Sequence, residues 1–247
     1  MVLLTPHPIK RIYGLKDRNW PPWGKSRTET PPDEWDNRAG LVLWLTDNGK
    51  GASVWQDSSG ADNHGTVYGA TAPPAATPGA LGYTFDGTDD YIDCGNSASL
   101  NIANAVTVGL WIYLPVGYSS ASTSHMFLIA RDGWMEVSFR EDTGVLNTKL
   151  GNAAPLPTTK NAWAAGWYNI MCAHNGTTQE IYINSVIDNS RNVAPAFTNS
   201  NTLFIGEYFT GILYFTGSID DVRIYNRALE QKEITSYFQH TRGKYGV

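Results

Sequence analysis

Short apolar runs separated by turn residues fill the chain between residues 41 and 225. Almost every run is rich in Val, Ile, Trp, Tyr and Phe and is bounded by Gly, Asn, Asp or Pro. This composition is typical of strands joined by turns. Residues 219–225 alternate between the two faces of a predicted strand. One face carries Asp220, Val222 and Ile224. The other carries Ile219, Asp221, Arg223 and Tyr225.

A hairpin and a single helix complete the pattern. Asn175 and Gly176 separate two strand-like runs, which is typical of a two-residue hairpin turn. Only residues 228–239 have apolar side chains at roughly helical spacing. We therefore predict an all-β fold, a two-sheet antiparallel jelly-roll sandwich over residues 41–240, with a short C-terminal helix and a tail at residues 241–247.

Composition limits the class of protein but leaves its compartment open. The chain is 42% hydrophobic and 12% aromatic, which is enough for a sizeable core, and its 17% charged content suits several compartments. Prolines interrupt residues 1–10, where a signal peptide needs an unbroken apolar stretch, and no later run is long enough to span a bilayer. We expect neither classical secretion nor membrane insertion. Cys94 and Cys172 could pair or stay as buried thiols, and the missing export signal favours free thiols.

Residues 1–40 differ from the rest of the chain in charge and composition. Residues 1–28 hold six Lys or Arg against one Asp, so they carry a net charge of +5 and leave −10 for the remainder of a chain whose total is −5. Six prolines between residues 6 and 32 predict an extended arm. The arm also carries more large apolar side chains than a solvated linker needs.

Such an arm either wraps along its own sandwich or docks on a neighbouring subunit or a larger assembly, and the residues leave both readings open. Docking would bury the apolar rings and place the basic residues against an acidic surface. The docking candidates are Arg11, Ile12, Tyr13, Arg18, Trp20, Trp23 and Trp35. Nucleic acid is not the expected partner, because the basic residues are scattered and the main body is acidic.

Several segments occur in the order found in one family of β-sandwiches. They are WQDSSGADNHGTVYGA at 55–70, YTFDGTDDYIDCG at 83–95, AVTVGLWIYL at 105–114, WYNIMCAHNGTTQEIYINSVID at 167–188 and GSIDDVRIYNRALEQKEI at 217–234. Together they resemble the laminin-G-like and pentraxin-like domains of the concanavalin-A-like lectin/glucanase superfamily, over about residues 41–238. Ser185 departs from the family, which usually has Gly there, and this change should alter one turn and not the fold. The resemblance implies a lectin-like sandwich.

Catalytic motifs are missing from the sequence. The resemblance implies that a retaining glucanase of this superfold would carry a Glu-x-Asp-x-Glu strand whose alternate acids enter the cleft. No such triplet occurs here, and Glu136 and Glu141 are spaced five apart, on opposite faces of a strand. No serine-nucleophile elbow is present, and the five histidines are dispersed. We therefore predict that the protein is not an enzyme.

Calcium is the metal that the side chains suit best, because it takes six to eight oxygen ligands from flexible loops. The candidate ligands are Asp57, Asn63, Asp220 and Asp221. The resemblance implies a structural calcium bound by an Asp in the closing strand, where Asp220 stands. The alternatives are an Asx turn at Asp57 and an ion pair between Asp221 and an arginine. Tight turns around Gly87 are the expected role of a further acidic cluster, formed by Asp86, Asp89, Asp90 and Asp93.

A glycan site would need aromatic faces that stack on sugar rings, with amides or carboxylates nearby for the hydroxyls. The candidates are Trp134, Tyr208, Phe209 and Tyr214. A core position is the alternative for each of these rings.

Three functions are consistent with these features. The first is a non-catalytic recognition or surface-decoration protein, docked through its arm on a larger assembly such as a virus or phage particle. It would lie on a virion or cell surface and could be a homo-oligomer. The second is a free-standing, calcium-dependent carbohydrate-binding module. The third, a glycoside hydrolase, requires catalytic residues that the sequence does not display.

Overall fold

The computed structural model describes residues 38–51, 53–72, 81–196, 201–208 and 211–247. The predicted arm falls almost wholly outside these residues and stays a prediction. The same holds for its docking candidates, namely Arg11, Ile12, Tyr13, Arg18, Trp20, Trp23 and Trp35. At the start of the described chain, the Asn226 amide donates to the Gly40 carbonyl at 2.7 Å, and Arg227 Nε donates to the Ala39 carbonyl at 2.7 Å.

Strands are the main secondary structure of the described chain, and a helix follows the last of them. The first eight strands are β1 (Leu41–Lys50), β2 (Val54–Asp57), β3 (Gly65–Tyr68), β4 (Tyr83–Asp86), β5 (Tyr91–Asp93), β6 (Val106–Leu114), β7 (Tyr118–Ser119) and β8 (Met126–Arg131). The others are β9 (Met135–Phe139), β10 (Leu146–Leu150), β11 (Leu156–Pro157), β12 (Ala162–Trp163), β13 (Gly166–His174), β14 (Thr178–Ile183), β15 (Val186–Asn192), β16 (Phe204–Ile205) and β17 (Thr216–Tyr225). A 3-10 turn spans Ala98–Leu100, and helix α1 spans Gln231–Tyr245.

Two antiparallel layers form the sandwich. Sheet I has the strand order β1-β17-β6-β13-β14-β15, and β4 also pairs with β17. Sheet II has the order β11-β10-β9-β8-β16-β5-β3-β2, and β2 pairs with β1, so that the two layers are continuous. The main core lies between them and combines side chains of sheet I such as Leu110 and Ile170 with side chains of sheet II such as Ile92 and Val137. The predicted all-β jelly-roll sandwich is confirmed.

The hairpin and the cysteines agree with the sequence. The turn at Asn175 and Gly176 joins β13 to β14, and Gly176 has a φ of 97°, which glycine adopts without strain. Cys94 and Cys172 are both buried free thiols. Within the described part of the chain, no helix has the length and hydropathy that crossing a bilayer requires.

The strict alternation predicted for the closing strand is wrong at one point. A register shift separates Asp220 from Arg223 where β17 pairs with β6, and Asp221 has a φ of 47°. The additional residue turns Ile219 toward the same core as Val222, while Asp220 faces helix α1. This bulge therefore places two consecutive aspartates on one side of sheet I.

Helix α1 begins three residues later and ends six residues later than the predicted range of 228–239. At its N-terminus the Glu230 amide donates to Glu233 Oε2 at 2.8 Å, as in a capping box. At its C-terminus Gly246 adopts a left-handed conformation with a φ of 72°. The last turns are held by packing, because the Tyr245 ring stacks on Trp111 with centroids 3.9 Å apart. Most of the predicted tail is therefore helical.

Candidate functional site

The outer faces of the two sheets are used differently. Helix α1 packs its buried side chains Ile234, Tyr237 and Phe238 on sheet I. They form a second apolar cluster with strand residues that include Trp111 and Met171. This face of sheet I is therefore part of the protein interior.

Cross-strand pairs define the outer face of sheet II. Phe204 lies opposite Ala130 on one side and Asp93 on the other, whereas the next residue, Ile205, belongs to the core. Directly opposed residues of antiparallel strands share a face, so the same face continues across the sheet. We call it the open face, and it comprises Thr66, Tyr68, Tyr91, Asp93, Phe127, Ala130, Glu136, Ser138, Asn147, Lys149 and Phe204. Within it, Phe127, Ala130 and Ser138 are buried.

Aromatic rings occupy one half of the open face. Tyr68 stacks on Tyr91 with centroids 4.6 Å apart, and the Tyr91 ring meets the edge of Phe204 at 6.0 Å. Tyr68 is 45% exposed, so its ring is available to a ligand. Farther along the sheet, Phe127 contacts Tyr208 at 4.5 Å between centroids.

Polar groups accompany these rings. The Tyr208 hydroxyl donates to Asp132 Oδ1 at 3.2 Å, and Asn201 Nδ2 donates to Asp132 Oδ2 at 3.4 Å. Lys149 forms an ion pair with Glu136 at 3.1 Å. The face thus combines apolar ring surface with carboxylates and amides, which is the composition of a site for a hydroxyl-rich ligand.

Glu207 is a buried carboxylate beside the open face. Its side chain is 4% exposed, and among the described residues Oε2 has no hydrogen-bond partner. The Tyr214 hydroxyl hydrogen-bonds to it. Burial and the nearby Asp93 carboxylate raise the pKa of Glu207 to about 7, and the bond from Tyr214 opposes this shift only in part.

Sequence reasoning missed Glu207. Strand β16 has only two residues, so no alternating pattern reaches position 207. The neighbouring Gly206, with a φ of 88°, also breaks the alternation. The aromatic residues on either side were the only available signal.

The predicted glycan residues have different locations. Tyr208 and Tyr214 are both half-buried beside the open face. Trp134 is 2% exposed and belongs to the main core, so its ring offers no face to a sugar. A cation–π contact with the buried Arg131, 5.5 Å from its ring, occupies it instead. Phe209 lies outside the described residues.

The predicted calcium ligands of the early loop already have partners. Asp57 Oδ1 accepts the amides of Trp44 and Ser59, and its Oδ2 accepts the Ser59 hydroxyl and the Asn63 amide, all within 2.9 Å. Asn63 is 2% exposed, and its side chain donates to the Val42 carbonyl at 2.6 Å. Since N–H and O–H donors occupy the Asp57 oxygens, this side chain forms an Asx turn.

Asp220 also has donors. Its Oδ2 accepts Lys244 Nζ at 2.7 Å and the Tyr245 hydroxyl at 2.8 Å, and the residue is fully buried. Burial raises the pKa of this carboxyl, and Lys244 opposes the shift. Asp220 therefore binds the end of α1.

Asp221 lies in a buried ion pair. Its Oδ1 accepts Trp44 Nε1 at 2.6 Å and Arg223 Nε at 2.9 Å, while Oδ2 accepts the Tyr237 hydroxyl at 2.9 Å. Burial alone would raise the pKa of Asp221, but the Arg223 guanidinium and these hydrogen bonds hold it below its usual range. Hydrogen-bond donors meet both oxygens of Asp57 and Asp221 and Oδ2 of Asp220, whereas Asp220 Oδ1 has no partner among the described residues. Calcium binding by Asp57, Asn63, Asp220 and Asp221 stays a prediction.

The acidic cluster around Gly87 forms turns. Asp86, Asp89 and Asp90 bring one carboxylate oxygen each within 4.8 Å of one another. The Thr88 amide donates to Asp86 Oδ1 at 2.7 Å, and the Asp86 amide donates to Asp90 Oδ2 at 2.8 Å. Burial, together with the two neighbouring carboxylates, raises the pKa of Asp90.

Solved structures of binding domains share this fold. The chain is 16% identical to the binding domain of Paraclostridial Mosquitocidal Protein 1, with a TM-score of 0.63, over 81% of this chain and 52% of that one. It is 13% identical to the binding domain of botulinum neurotoxin DC in complex with rat synaptotagmin II, with a TM-score of 0.59, over 81% and 51%. The chain therefore spans about half the length of these toxin domains.

A third similar structure matches over nearly its whole length. Domain 4 of AbnA, an extracellular arabinanase of family GH43 from Geobacillus stearothermophilus, was solved in complex with arabinotriose. It is 19% identical, with a TM-score of 0.59, over 81% of this chain and 99% of that domain. At these identities the likeness establishes the fold.

Family and curated-protein comparisons give different results. No curated protein matches the chain. Residues 86–235 match a laminin G family model, described as the concanavalin A-like lectin/glucanases superfamily, and this range is more than half of the chain. The chain therefore belongs to the concanavalin A-like lectin/glucanases superfamily.

Proposed function

We propose that this protein is a non-catalytic recognition domain whose open face binds carbohydrate. One observation supports this most strongly, namely the exposed and half-buried tyrosines beside carboxylates on sheet II, while α1 occupies the outer face of sheet I. Tyrosine rings stack on the apolar faces of sugars, and carboxylates and amides accept and donate hydrogen bonds to the hydroxyls.

The charges of this region favour neutral sugars. Asp93 and Asp132 place carboxylates along the open face and its border. The Lys149 ammonium is already paired with Glu136. A sugar acid or a sulfated sugar would meet like charge here, which weakens association.

The structural neighbours favour binding over turnover. They are binding domains of toxins and a domain of an arabinanase that holds arabinotriose. These ligands are properties of those proteins, and for this chain they indicate which probes to use first.

Replacing Tyr68 with alanine should weaken carbohydrate binding by about ten-fold, the equivalent of one lost stacking contact. Calorimetric titration with arabinotriose, and with a panel of neutral and acidic oligosaccharides, measures this. Val186→Ala is the matched control, because Val186 is 68% exposed on β15 of sheet I. Equal affinity of the wild-type protein and Tyr68→Ala, or a preference for the acidic oligosaccharides, would contradict the proposal.

Docking of the basic arm on a larger assembly, such as a virus or phage particle, is a second proposed function. The charge difference between residues 1–28 and the rest of the chain supports it. It places the protein on a virion or cell surface. Deletion of residues 1–36 should abolish co-sedimentation with purified particles while the thermal melt of the sandwich is unchanged. Glycan binding that survives this deletion, with no particle attachment by the full chain, would instead indicate a free-standing carbohydrate-binding module.

A further inference from the structure

Glu207 lies next to a turn that brings two tyrosines to the open face. The Phe215 amide donates to the Gly206 carbonyl at 2.8 Å, and the Gly211 amide donates to the Tyr208 carbonyl at 3.1 Å. Tyr208 also forms an isolated β-bridge with Ile212. The Tyr208 ring packs against Phe127, and the Tyr214 hydroxyl hydrogen-bonds to Glu207. Residues 209 and 210, between the two bonded sides of the turn, lie outside the described residues.

The surroundings of Glu207 suit a neutral carboxyl group better than a charged one. Asp93 and Tyr91 of β5 interact with it electrostatically, and the Tyr214 hydroxyl at the far end of the turn hydrogen-bonds to it. The negative charge of Asp89 contributes to the raised pKa of Tyr214. Asp93 and Asp89 carry negative charge, and Oε2 lacks a donor within the described structure. An ionised Glu207 must therefore draw water into the contact between the turn and β5.

Resting on the proposed function, we propose that ionisation of Glu207 loosens the turn that presents Tyr208 and Tyr214, so that the open face binds carbohydrate more tightly below neutral pH than above it. The positions of the Tyr208 and Tyr214 rings at the open face then depend on whether the Glu207 carboxyl is protonated.

Linkage fixes the direction of this effect. The pKa of Glu207 is raised from 4.5 to about 7 in the folded protein, so the folded state holds the proton more strongly than the unfolded chain does. The stability contributed by Glu207 is fully present below pH 4.5 and is lost as the pH rises to about 7.

The test measures the turn without a ligand. Amide hydrogen exchange of Gly206, Gly211 and Phe215, corrected for intrinsic exchange, is followed at pH 5.5 and 8.5. In the wild-type protein we expect protection at pH 8.5 to fall by about ten-fold. Glu207→Gln imitates the protonated acid and should remove this difference. Asp142→Asn, which changes an exposed carboxylate, should behave like the wild-type protein.

Tyr214→Phe tests the same contact in a second way. The Tyr214 hydroxyl lowers the pKa of Glu207, so its removal should move the loosening to higher pH. Equal protection at both pH values in the wild-type protein, or the same pH-dependent loss in Glu207→Gln, would overturn the proposal.

Titration with arabinotriose at the two pH values completes the test. We expect weaker binding at pH 8.5 in the wild-type protein and equal binding in Glu207→Gln. If the turn loosens at pH 8.5 but the affinity for arabinotriose is the same at both pH values, the proposed link between the turn and carbohydrate binding is overturned. If the turn loosens but neither arabinotriose nor any of the neutral oligosaccharides binds at either pH, the effect of Glu207 on the turn is supported and the proposed carbohydrate function fails.

Discussion

Replacing Arg223 with methionine is expected to lower the free energy of unfolding by about 3–5 kcal/mol, because it leaves a buried carboxylate without its counter-charge. Arg223 is 3% exposed and pairs with Asp221 at 2.9 Å. Its guanidinium also lies over the rings of Trp44 and Tyr237, at 4.4 and 4.7 Å from their centroids. Urea unfolding at neutral pH measures the loss.

A double substitution separates the unpaired charge from the lost packing. Asp221 has a φ of 47°, which asparagine tolerates, so Asp221→Asn removes the charge without straining the bulge. The variant Asp221→Asn/Arg223→Met should be about 1–3 kcal/mol more stable than Arg223→Met alone. If the losses in unfolding free energy of Asp221→Asn and Arg223→Met, measured singly, add up to the loss of the double variant, the ion pair contributes nothing beyond packing.

Removing residues 241–247 should also cost about 3–5 kcal/mol, because both a stacked ring and a buried ion-pair partner are lost. Tyr245 stacks on Trp111, and its hydroxyl and Lys244 donate to the fully buried Asp220. Thermal melts of the truncated and full chains measure the change.

Removal of Gly246 and Val247 alone is the control, and it should leave the melt nearly unchanged. The effect of the longer truncation should be smaller at acidic pH. The pKa of Asp220 is already raised by burial, and without Lys244 this carboxyl takes up a proton more readily. A melt unaffected by loss of residues 241–247 would show that the helix contributes its stability through Ile234 and Phe238.

The fold was predictable because alternation and turn residues are local signals. The hairpin at Asn175 and Gly176 is one example, and both sides of its turn carry strands. The bulge at Asp221 was not predictable, because a single inserted residue leaves no mark in an alternating pattern. It moves Ile219 and Asp220, which precede it, to the opposite sides of the sheet from those predicted.

The site was harder to predict because its properties depend on partners distant in the sequence. Asp57 and Asp220 have the side chains of calcium ligands, and nothing in the sequence indicated that Trp44 would donate to Asp57 Oδ1 or that Lys244 and Tyr245 would donate to Asp220 Oδ2. Trp134 could be a stacking residue or a core residue from its sequence alone, and the structure encloses it in the core. Nothing in the sequence around Glu207 marks it, and yet its carboxylate is buried with one oxygen that has no hydrogen-bond partner among the described residues.

The described chain starts against sheet I, where Ala39 and Gly40 are hydrogen-bonded to the residues just after β17. Leu41 packs in the cluster under α1. A tether attached at this end would therefore hold the domain on the side of sheet I, away from the open face of sheet II. Attachment to a support and capture of a sugar would then use opposite sides of the molecule and need not compete.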